Sequence, residues 1–125
     1  MTLLDIKKNL ETFFITNYTE TQIHWSGNDF KTTAHTEWVY FEYLGEAVMD
    51  CGLDNTVYSH KGAINVTVIA QTTFRVNEIA SIVLELFKGQ NIDGSIIRNA
   101  SILESAYDKE LGKSYMVMNI DVSSN

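Results

Sequence analysis

Three histidines and one cysteine are the side chains of this sequence that could bind a metal ion or act as a nucleophile. His24, His35 and His60 are far apart along the chain, and Cys51 lies beside Asp50 between the last two. A structural zinc site needs four such ligands, usually in closely spaced pairs. The sequence has no second cysteine and no two histidines three or four residues apart, so it predicts no metal site. We expect all three histidines at strand ends or in loops, exposed to solvent.

Cys51 lacks the sequence surroundings of a catalytic thiolate. A nucleophilic cysteine needs a lowered pKa, which a helix N-terminus or a nearby cation provides. The carboxylate of Asp50 would instead raise the pKa of Cys51. The glycines form no phosphate-binding loop. The sequence therefore predicts a protein that is not an enzyme and that has no catalytic residue, cofactor or metal.

The chain is acidic, and acids are concentrated in one segment. The formal net charge is −7, from nine basic and sixteen acidic residues. Residues 37–54 contain five acids and no base. Nucleic-acid binding is disfavoured, because it requires a basic stripe that releases counterions from phosphate. The segment is either a solvated acidic loop or a surface that repels phosphate and meets a basic partner.

Length and composition indicate one domain over residues 1–125. The chain is 45% hydrophobic, which is enough for a core. No apolar run reaches the ~18 residues of a membrane span. The first residues mix acids with apolar side chains, so we expect no signal peptide.

A strand followed by a helix, over Gly62–Gly89, is the strongest structural pattern. Alternating β-branched residues predict a strand over Gly62–Ala70. A helix is predicted from Arg75, with Thr73 as its N-cap and Gly89 just beyond its end. Its apolar stripe, at helical spacing, consists of Val76, Ile79, Ala80, Val83, Leu86 and Phe87.

The other predicted elements complete an α+β fold. In chain order they are a helix over Thr2–Tyr18 capped by Thr2, an extended piece at Gln22–Trp25, a turn at Ser26–Asp29, a strand over Thr36–Gly45, an irregular segment over Glu46–His60 with a turn at Asp50–Asn55, a bulged strand over Gly94–Ala106, a turn at Asp108–Lys113, a strand over Ser114–Val122 and a tail of Ser123–Asn125. We expect a mainly antiparallel sheet with two helices packed on one face and a long β-hairpin loop.

The strand over Thr36–Gly45 is apolar on both faces. One face carries Val39, Phe41 and Tyr43, and the other carries Trp38, Tyr40, Glu42 and Leu44. Two helices cover one face of a sheet, so the second face either meets a partner or leaves aromatic side chains with polar tips half exposed. Both interpretations stay open from the sequence.

Five segments follow one another in a recognisable order. They are Ile23–Phe30 (IHWSGNDF), the strand opening Glu37–Val39 (EWV), Lys61–Val68 (KGAINVTV), the helix end Leu86–Gly89 (LFKG) and the last strand Tyr115–Val122. In order and spacing, over nearly the whole chain, this pattern resembles the small tail terminator (tail completion) proteins of long-tailed phages and prophages. These include the lambda-type minor tail proteins and a related uncharacterised phage family.

The resemblance implies a structural virion protein. Such proteins form a ring, usually a hexamer, that caps the tail tube, stops its polymerisation and faces the head-side connector. The implied partners are other copies of this chain, the tail tube protein and the connector protein, without a membrane or sequence-specific nucleic acid. The implied location is the head–tail junction of the virion, and the host cytoplasm during assembly.

A ring would use contacts that close by rotation, and the Glu46–Asn55 loop would project to a neighbouring subunit or to the tube. Residues expected at subunit or partner contacts are Trp38, Tyr40, Glu42, Leu44, Glu46, Asp50, Leu53 and Asp54.

Two other classes stay open. One is a different head–tail joining adaptor, which would share this physics but have another partner. The other is a small-ligand-binding or enzymatic α+β domain, whose pocket would be lined by Trp25, Trp38, Tyr40 and His35.

Overall fold

The computed structural model describes residues 2–25, 36–51 and 56–124, with the backbone alone for 46–51 and 56–59. The predicted turn at Ser26–Asp29 and the site residues His35, Leu53 and Asp54 lie outside the described residues. The elements are α1 (Leu3–Asn17), β1 (Gln22–Trp25), β2 (Trp38–Cys51), β3 (Thr56–Ala70), α2 (Thr73–Phe87), β4 (Asn91–Ile92), β5 (Ser95–Asp108) and β6 (Lys113–Ser124).

The described strands form one sheet in the order β1-β2-β3-β6-β5-β4. Strand β1 runs parallel to β2, and every other neighbouring pair is antiparallel. The predicted α+β fold with a mainly antiparallel sheet is therefore confirmed.

Both helices begin at threonine caps, one of them a residue earlier than predicted. The backbone N–H of Asp5 donates to Thr2 Oγ1 at 3.1 Å, and that of Thr2 donates to Asp5 Oδ2 at 2.9 Å, which confirms Thr2 as the cap. These bonds to Thr2 lower the pKa of Asp5. The cap of α2 is Thr72, whose Oγ1 accepts from the N–H of Arg75 at 3.1 Å, so the predicted cap Thr73 is wrong. Two adjacent threonines offer the same capping oxygen, and only the helix register distinguishes them.

The apolar stripes of the helices and alternate residues of the strands form the core. Phe14, Phe41 and Phe87 are each at most 1% exposed. The ring centroid of Phe14 lies 4.8 Å from that of Phe41 and 5.7 Å from that of Phe87, so α1, α2 and β2 meet at one aromatic cluster. The same core contains Ile6, Leu10, Val39, Ile64, Val66, Val68, Val76, Ile79, Val83, Met116, Met118, Ile120 and Val122.

Strands β2 and β3 form a hairpin that is longer than predicted. Their register runs without interruption from Trp38↔Ile69 to Cys51↔Thr56. The expected irregular segment over Glu46–His60 is therefore wrong, because 46–51 and 56–60 are paired strand. The hairpin itself was correctly predicted, and its connection is residues 52–55. Ladder hydrogen bonds join backbone groups, so strand pairing continues where the side chains no longer alternate.

The last two strands confirm the predicted bulge and turn. Register shifts interrupt β5 between Ile97 and Ala100 and between Ile102 and Glu104. Strand β6 runs through Ser124, so the expected tail at Ser123–Asn125 is wrong for its first two residues. Ser124 Oγ lies 2.7 Å from Ser95 Oγ in a buried contact, which gives these small polar residues partners that the sequence pattern does not reveal.

Candidate interaction surfaces

The two histidines that the structure describes, His24 and His60, lie far apart in the sheet. His24 is aligned with Tyr40 of β2, and His60 is aligned with Ala47. Seven residues of strand separate these positions, or about 24 Å at ~3.4 Å per residue. His60 lies within β3 and is only 6% exposed, so the expectation of an exposed histidine at a strand end or in a loop is wrong for His60. His24 lies near the end of β1, as expected, but is half-buried. Among the described residues, no group of three or more His, Cys, Asp and Glu could hold a metal ion.

No helix in the described ranges is long and apolar enough to cross a membrane.

The outer face of β2, opposite the core, changes from buried to exposed along the strand. Trp38 is fully buried, whereas Leu44 is 53% exposed. The ring of Trp38 meets that of His24 edge-on at 6.1 Å, and its cross-strand neighbour Ile69 is also buried. Trp38 therefore offers no surface to a partner, contrary to its predicted place at an interface. Tyr40 and Glu42 are half-buried between these ends.

The described residues of the alternative ligand pocket, Trp25, Trp38 and Tyr40, do not lie on one side of the sheet. The ring of Trp25 packs edge-on against Phe41 at 5.3 Å, and Phe41 belongs to the core. Trp38 and Tyr40 point to the opposite face, because side chains alternate along a strand. Trp25 and Trp38 are thus on different sides of the sheet and do not line one cleft.

A pair of glycines marks the point where the hairpin leaves the body of the sheet. Gly45 and Gly62 are opposite each other, and the ring of Tyr43 lies over both. A Cβ atom at Gly62 would be 2.6 Å from the carbonyl oxygen of Leu44 and 2.7 Å from Tyr43 Oη. The close approach of ring and backbone therefore requires glycine here.

Beyond this pair the hairpin continues as a projection, which we call the arm (46–51 and 56–61). Strand β6 pairs with β3 only from His60 onward, and β1 pairs only with residues 38–41 of β2. Within the described chain, residues 48–51 and 56–59 therefore pair only with each other. Gly45 to Cys51 spans about 20 Å at ~3.4 Å per residue. The arm contains Glu46 and Asp50, two of the predicted contact residues.

The opposite half of the sheet contains an exposed apolar strand. Every residue of β5 from Arg98 to Tyr107 is exposed. Three of them are large and apolar, with exposures of 57% for Ile102, 62% for Leu103 and 58% for Tyr107. Strand β4 pairs only with the first two residues of β5, so the outer edge beyond Ile96 has no strand partner among the described residues. We call this region the β5 edge; the sequence prediction missed it, since apolar residues such as Ile102 and Leu103 are also typical of a buried strand.

One acid of the acidic segment is neutralised within the chain. Arg75 donates to both carboxylate oxygens of Glu37, at 2.6 and 3.2 Å, and to Glu20 at 2.9 Å. It also donates to Glu78. These bonds, the one to Glu37 foremost, raise the pKa of Arg75 above its usual range. The carboxylate of Glu37 is therefore already paired within the chain.

A cavity of about 580 Å³ opens beside the base of the arm, where β3, β6 and β5 adjoin. Its lining includes Lys61, Arg98 and Asp121. The Nε of Arg98 donates to Ser123 Oγ at 2.9 Å. A second cavity, of about 240 Å³, shares Arg98 and adds Lys88 and Glu85.

Comparisons with known proteins establish the fold but no family. No protein-family model matches the chain, and no curated protein matches it. A solved structure of a protein whose name describes no function is similar over 94% of this chain and 92% of that chain, with a TM-score of 0.60 and 12% sequence identity. At this identity the likeness shows a shared fold alone, which agrees with the α+β architecture described above.

Proposed function

We propose that this protein is a structural virion protein that caps the phage tail tube as a ring, ends tail polymerisation and forms part of the head–tail interface. The observation that carries the proposal is a pair of unlike sheet regions, the arm and the β5 edge, that have no further strand partner among the described residues. The arm extends from β2 and β3, whereas the β5 edge belongs to the other half of the sheet. Contacts between two unlike surfaces of identical subunits generate a ring when their rotation closes.

The β5 edge favours burial by a neighbour. Natural proteins usually protect edge strands with charges, prolines or very short length, because an open apolar edge promotes association. The bulges of β5 give some protection, but Ile102, Leu103 and Tyr107 are each more than half exposed. Complete burial of a large apolar side chain contributes ~1.5–3 kcal/mol. Covering the exposed parts of these three would contribute on the order of 3 kcal/mol to association.

The sequence resemblance favours a tail terminator over other ring proteins. Three of the five segments that carry the resemblance lie at the start of β2, within β3 and at the end of α2. These elements hold the arm and form part of the core. The partners on this proposal are further copies of the chain, the tail tube protein and the head-side connector. The net charge of −7 suits a ring through which DNA passes, because an acidic wall does not retain phosphate.

The test uses two leucines that are similarly exposed. Leu103 on β5 is 62% exposed and Leu4 on α1 is 58% exposed. Leu103→Asp is expected to convert rings into monomers in sedimentation velocity, alone or on isolated tail tubes, while Leu4→Asp leaves assembly unchanged. Both variants should keep the wild-type unfolding midpoint, because neither side chain is in the core.

The functional readout is tail length in a tube polymerisation assay. The wild-type protein should stop tube growth, and Leu103→Asp should not. Two negative results together would refute the proposal. They are that the wild-type protein does not self-associate at any concentration, and that it neither binds tail tubes nor stops their growth. Binding to a head-side connector without any effect on tube growth would point to a different head–tail adaptor.

A further inference from the structure

Two strands of the sheet have open outer edges of the same length. Strand β1 pairs only with Trp38–Phe41 of β2, so residues 42–51 have no strand partner on that side among the described residues. Strand β4 pairs only with Ser95 and Ile96, which leaves residues 97–108 of β5 open in the same way. Because β5 is bulged, these twelve residues lie against only ten residues of β6, Lys113–Val122. Each open edge therefore offers ten positions of a strand ladder.

The arm is a two-stranded ribbon that would be stabilised by a third strand. Within the described chain, residues 48–51 and 56–59 pair only with each other, and an isolated two-stranded ribbon is marginally stable in water. An open edge presents backbone N–H and C=O groups that can pair with another chain. Apolar side chains are exposed along both edges, with Leu44 of β2 at 53% and Leu103 of β5 at 62%.

The directions of the two strands suit antiparallel pairing between copies. Strands β3 and β6 separate β2 from β5, and each of the three steps between neighbours is antiparallel. Strands β2 and β5 of one copy therefore run in opposite directions. Copies joined edge to edge around a ring keep the same strand direction, so β5 of one copy meets β2 of the next antiparallel. The short strands β1 and β4 then lie at opposite ends of the joint, where neither obstructs it.

The faces of the two strands agree with this alignment as well. Matching the open edges end to end sets Glu42 beside Asp108 and Leu44 beside Ala106. Leu44 follows the core residue Tyr43, so it points away from the core. Ala106 is aligned with Tyr115 of β6, which also points away from the core because it precedes the core residue Met116. A shift of one residue would set opposite faces side by side.

We propose that the open edge of β2, from Glu42 to Cys51, pairs antiparallel with the β5 edge of a second copy. This pairing rests on the proposed ring, in which it would join the sheets of adjacent subunits. Ten paired residues cover roughly 34 Å by 10 Å on each copy, or roughly 340 Å², whereas a standard interface buries ~800 Å² per partner. A single joint is therefore weak. Each copy in a ring makes two joints, so the closed ring is favoured over a pair.

Disulfide cross-linking tests the pairing directly. The test variant combines Leu44→Cys and Ala106→Cys, with Cys51→Ser to remove the natural thiol. Within one copy these positions are three strand spacings apart, about 14 Å, which is beyond the ~7 Å between Cα atoms that a disulfide can bridge. Oxidation under conditions in which the wild-type protein forms rings should therefore link different copies, in a series of species that ends at the closed ring.

The matched control replaces Ala106 by its neighbour. Leu44→Cys with Tyr107→Cys should cross-link far less, because Tyr107 lies on the other face of β5, although it is 58% exposed. Leu44→Cys alone and Ala106→Cys alone should give no cross-link. Efficient dimers of Ala106→Cys alone would show that two β5 edges pair with each other, which would overturn this inference. Under reducing conditions every variant should keep the wild-type unfolding midpoint.

A charge reversal gives a second readout of the same register. Glu42 beside Asp108 sets two acids opposite each other, which is unfavourable across a strand pair. Glu42→Lys should therefore tighten self-association about fivefold in sedimentation velocity at low salt, and less at high salt. Glu85→Lys, which reverses an exposed acid on α2, controls for the change in net charge. Equal effects of the two substitutions would contradict the proposed register.

The cross-linking result also separates this inference from the proposed ring. Wild-type rings whose Leu44→Cys/Ala106→Cys variant assembles but does not cross-link above the Tyr107→Cys control would overturn the strand pairing and leave the ring intact. If wild-type protein forms no ring even on tubes, the proposed function fails and the strand pairing fails with it.

Discussion

Replacing Phe87 by alanine would remove the side chain that joins α2 to the aromatic cluster. Phe87 is 1% exposed, and its ring centroid lies 5.5 Å from that of Phe13, 5.7 Å from that of Phe14 and 6.4 Å from that of Phe41. A buried Phe→Ala change costs ~3–5 kcal/mol through lost burial and the cavity left behind. Three aromatic neighbours place the expected loss in the upper half of that range, about 4 kcal/mol.

The same helix provides the control. Phe74, near the start of α2, is 78% exposed, so Phe74→Ala makes the same chemical change without emptying the core. We expect it to change the free energy of unfolding by less than about 0.5 kcal/mol. Urea unfolding followed by circular dichroism measures both variants, at a protein concentration low enough to prevent assembly from adding to stability.

The urea midpoint of Phe87→Ala should fall with little change in the slope. A loss below about 1 kcal/mol, or equal losses in the two variants, would refute the assignment of the buried helix face. The slope is informative as well, since a large change would show that the variant no longer unfolds in a single step.

Three further substitutions test other parts of the structure. Gly62→Ala should destabilise the protein by about 1–3 kcal/mol in urea unfolding, because its Cβ meets the rigid backbone oxygen of Leu44; stability within 0.5 kcal/mol of wild type would contradict the close approach. Burial raises the pKa of Tyr18 to about 12. The contribution of its neutral hydroxyl to the free energy of unfolding is therefore complete below pH 10 and is lost between pH 10 and pH 12. Wild-type protein should lose about 2–3 kcal/mol more than Tyr18→Phe over that window, and parallel curves would contradict this. Arg75→Gln should lower stability by about 1 kcal/mol at low salt, since three carboxylates lose their shared cation, and the difference should shrink in 1 M NaCl; a loss independent of salt would point to packing instead.

Local signals in the sequence predicted most of the features whose cause is local, with the exception of the Thr72 cap of α2. The Thr2 cap depends on a side chain three residues away, and Gly89 follows α2 with a φ of +69°, a conformation that glycine adopts without strain. The stripe that ends at Phe87 needs only the helical period. Each of these features lies within four residues of the bonds that produce it, so the residue pattern is sufficient.

Features that depend on distant strands were not predictable in the same way. The outer half of β2 looks irregular in sequence because its pairing with β3 requires no alternation of apolar residues. Ser124 looks like part of a tail because its partner Ser95 is far away in the chain. Trp38 was placed on an uncovered face by its position in the strand, but burial depends on what packs there, and His24 and Ile69 supply part of that cover.

The two candidate surfaces, the arm and the β5 edge, differ in how much of each could be predicted from the sequence. Runs of acids are visible in sequence, so the segment of the arm was proposed as a contact segment, although it was expected to be a loop. The β5 edge was missed because Ile102 and Leu103 have the composition of a core strand. Their exposure becomes visible only in the structure, where the strand beside β5 is the two-residue β4.

The two proposed contact surfaces are held by one continuous framework. Strand β2 begins in the aromatic cluster through Phe41 and continues without a break in register into the arm. Tyr43, packed over Gly45 and Gly62, fixes the backbone at the point where the arm leaves the sheet. Strand β3 pairs with β6 without interruption from His60 to Ala70, and β6 pairs in turn with β5 through a ladder with two register shifts. A ring of identical subunits needs the arm and the β5 edge to keep the same relation in every copy. That constancy is what a ring requires, because a small variation in the angle between its two contact surfaces would prevent the last subunit from closing it.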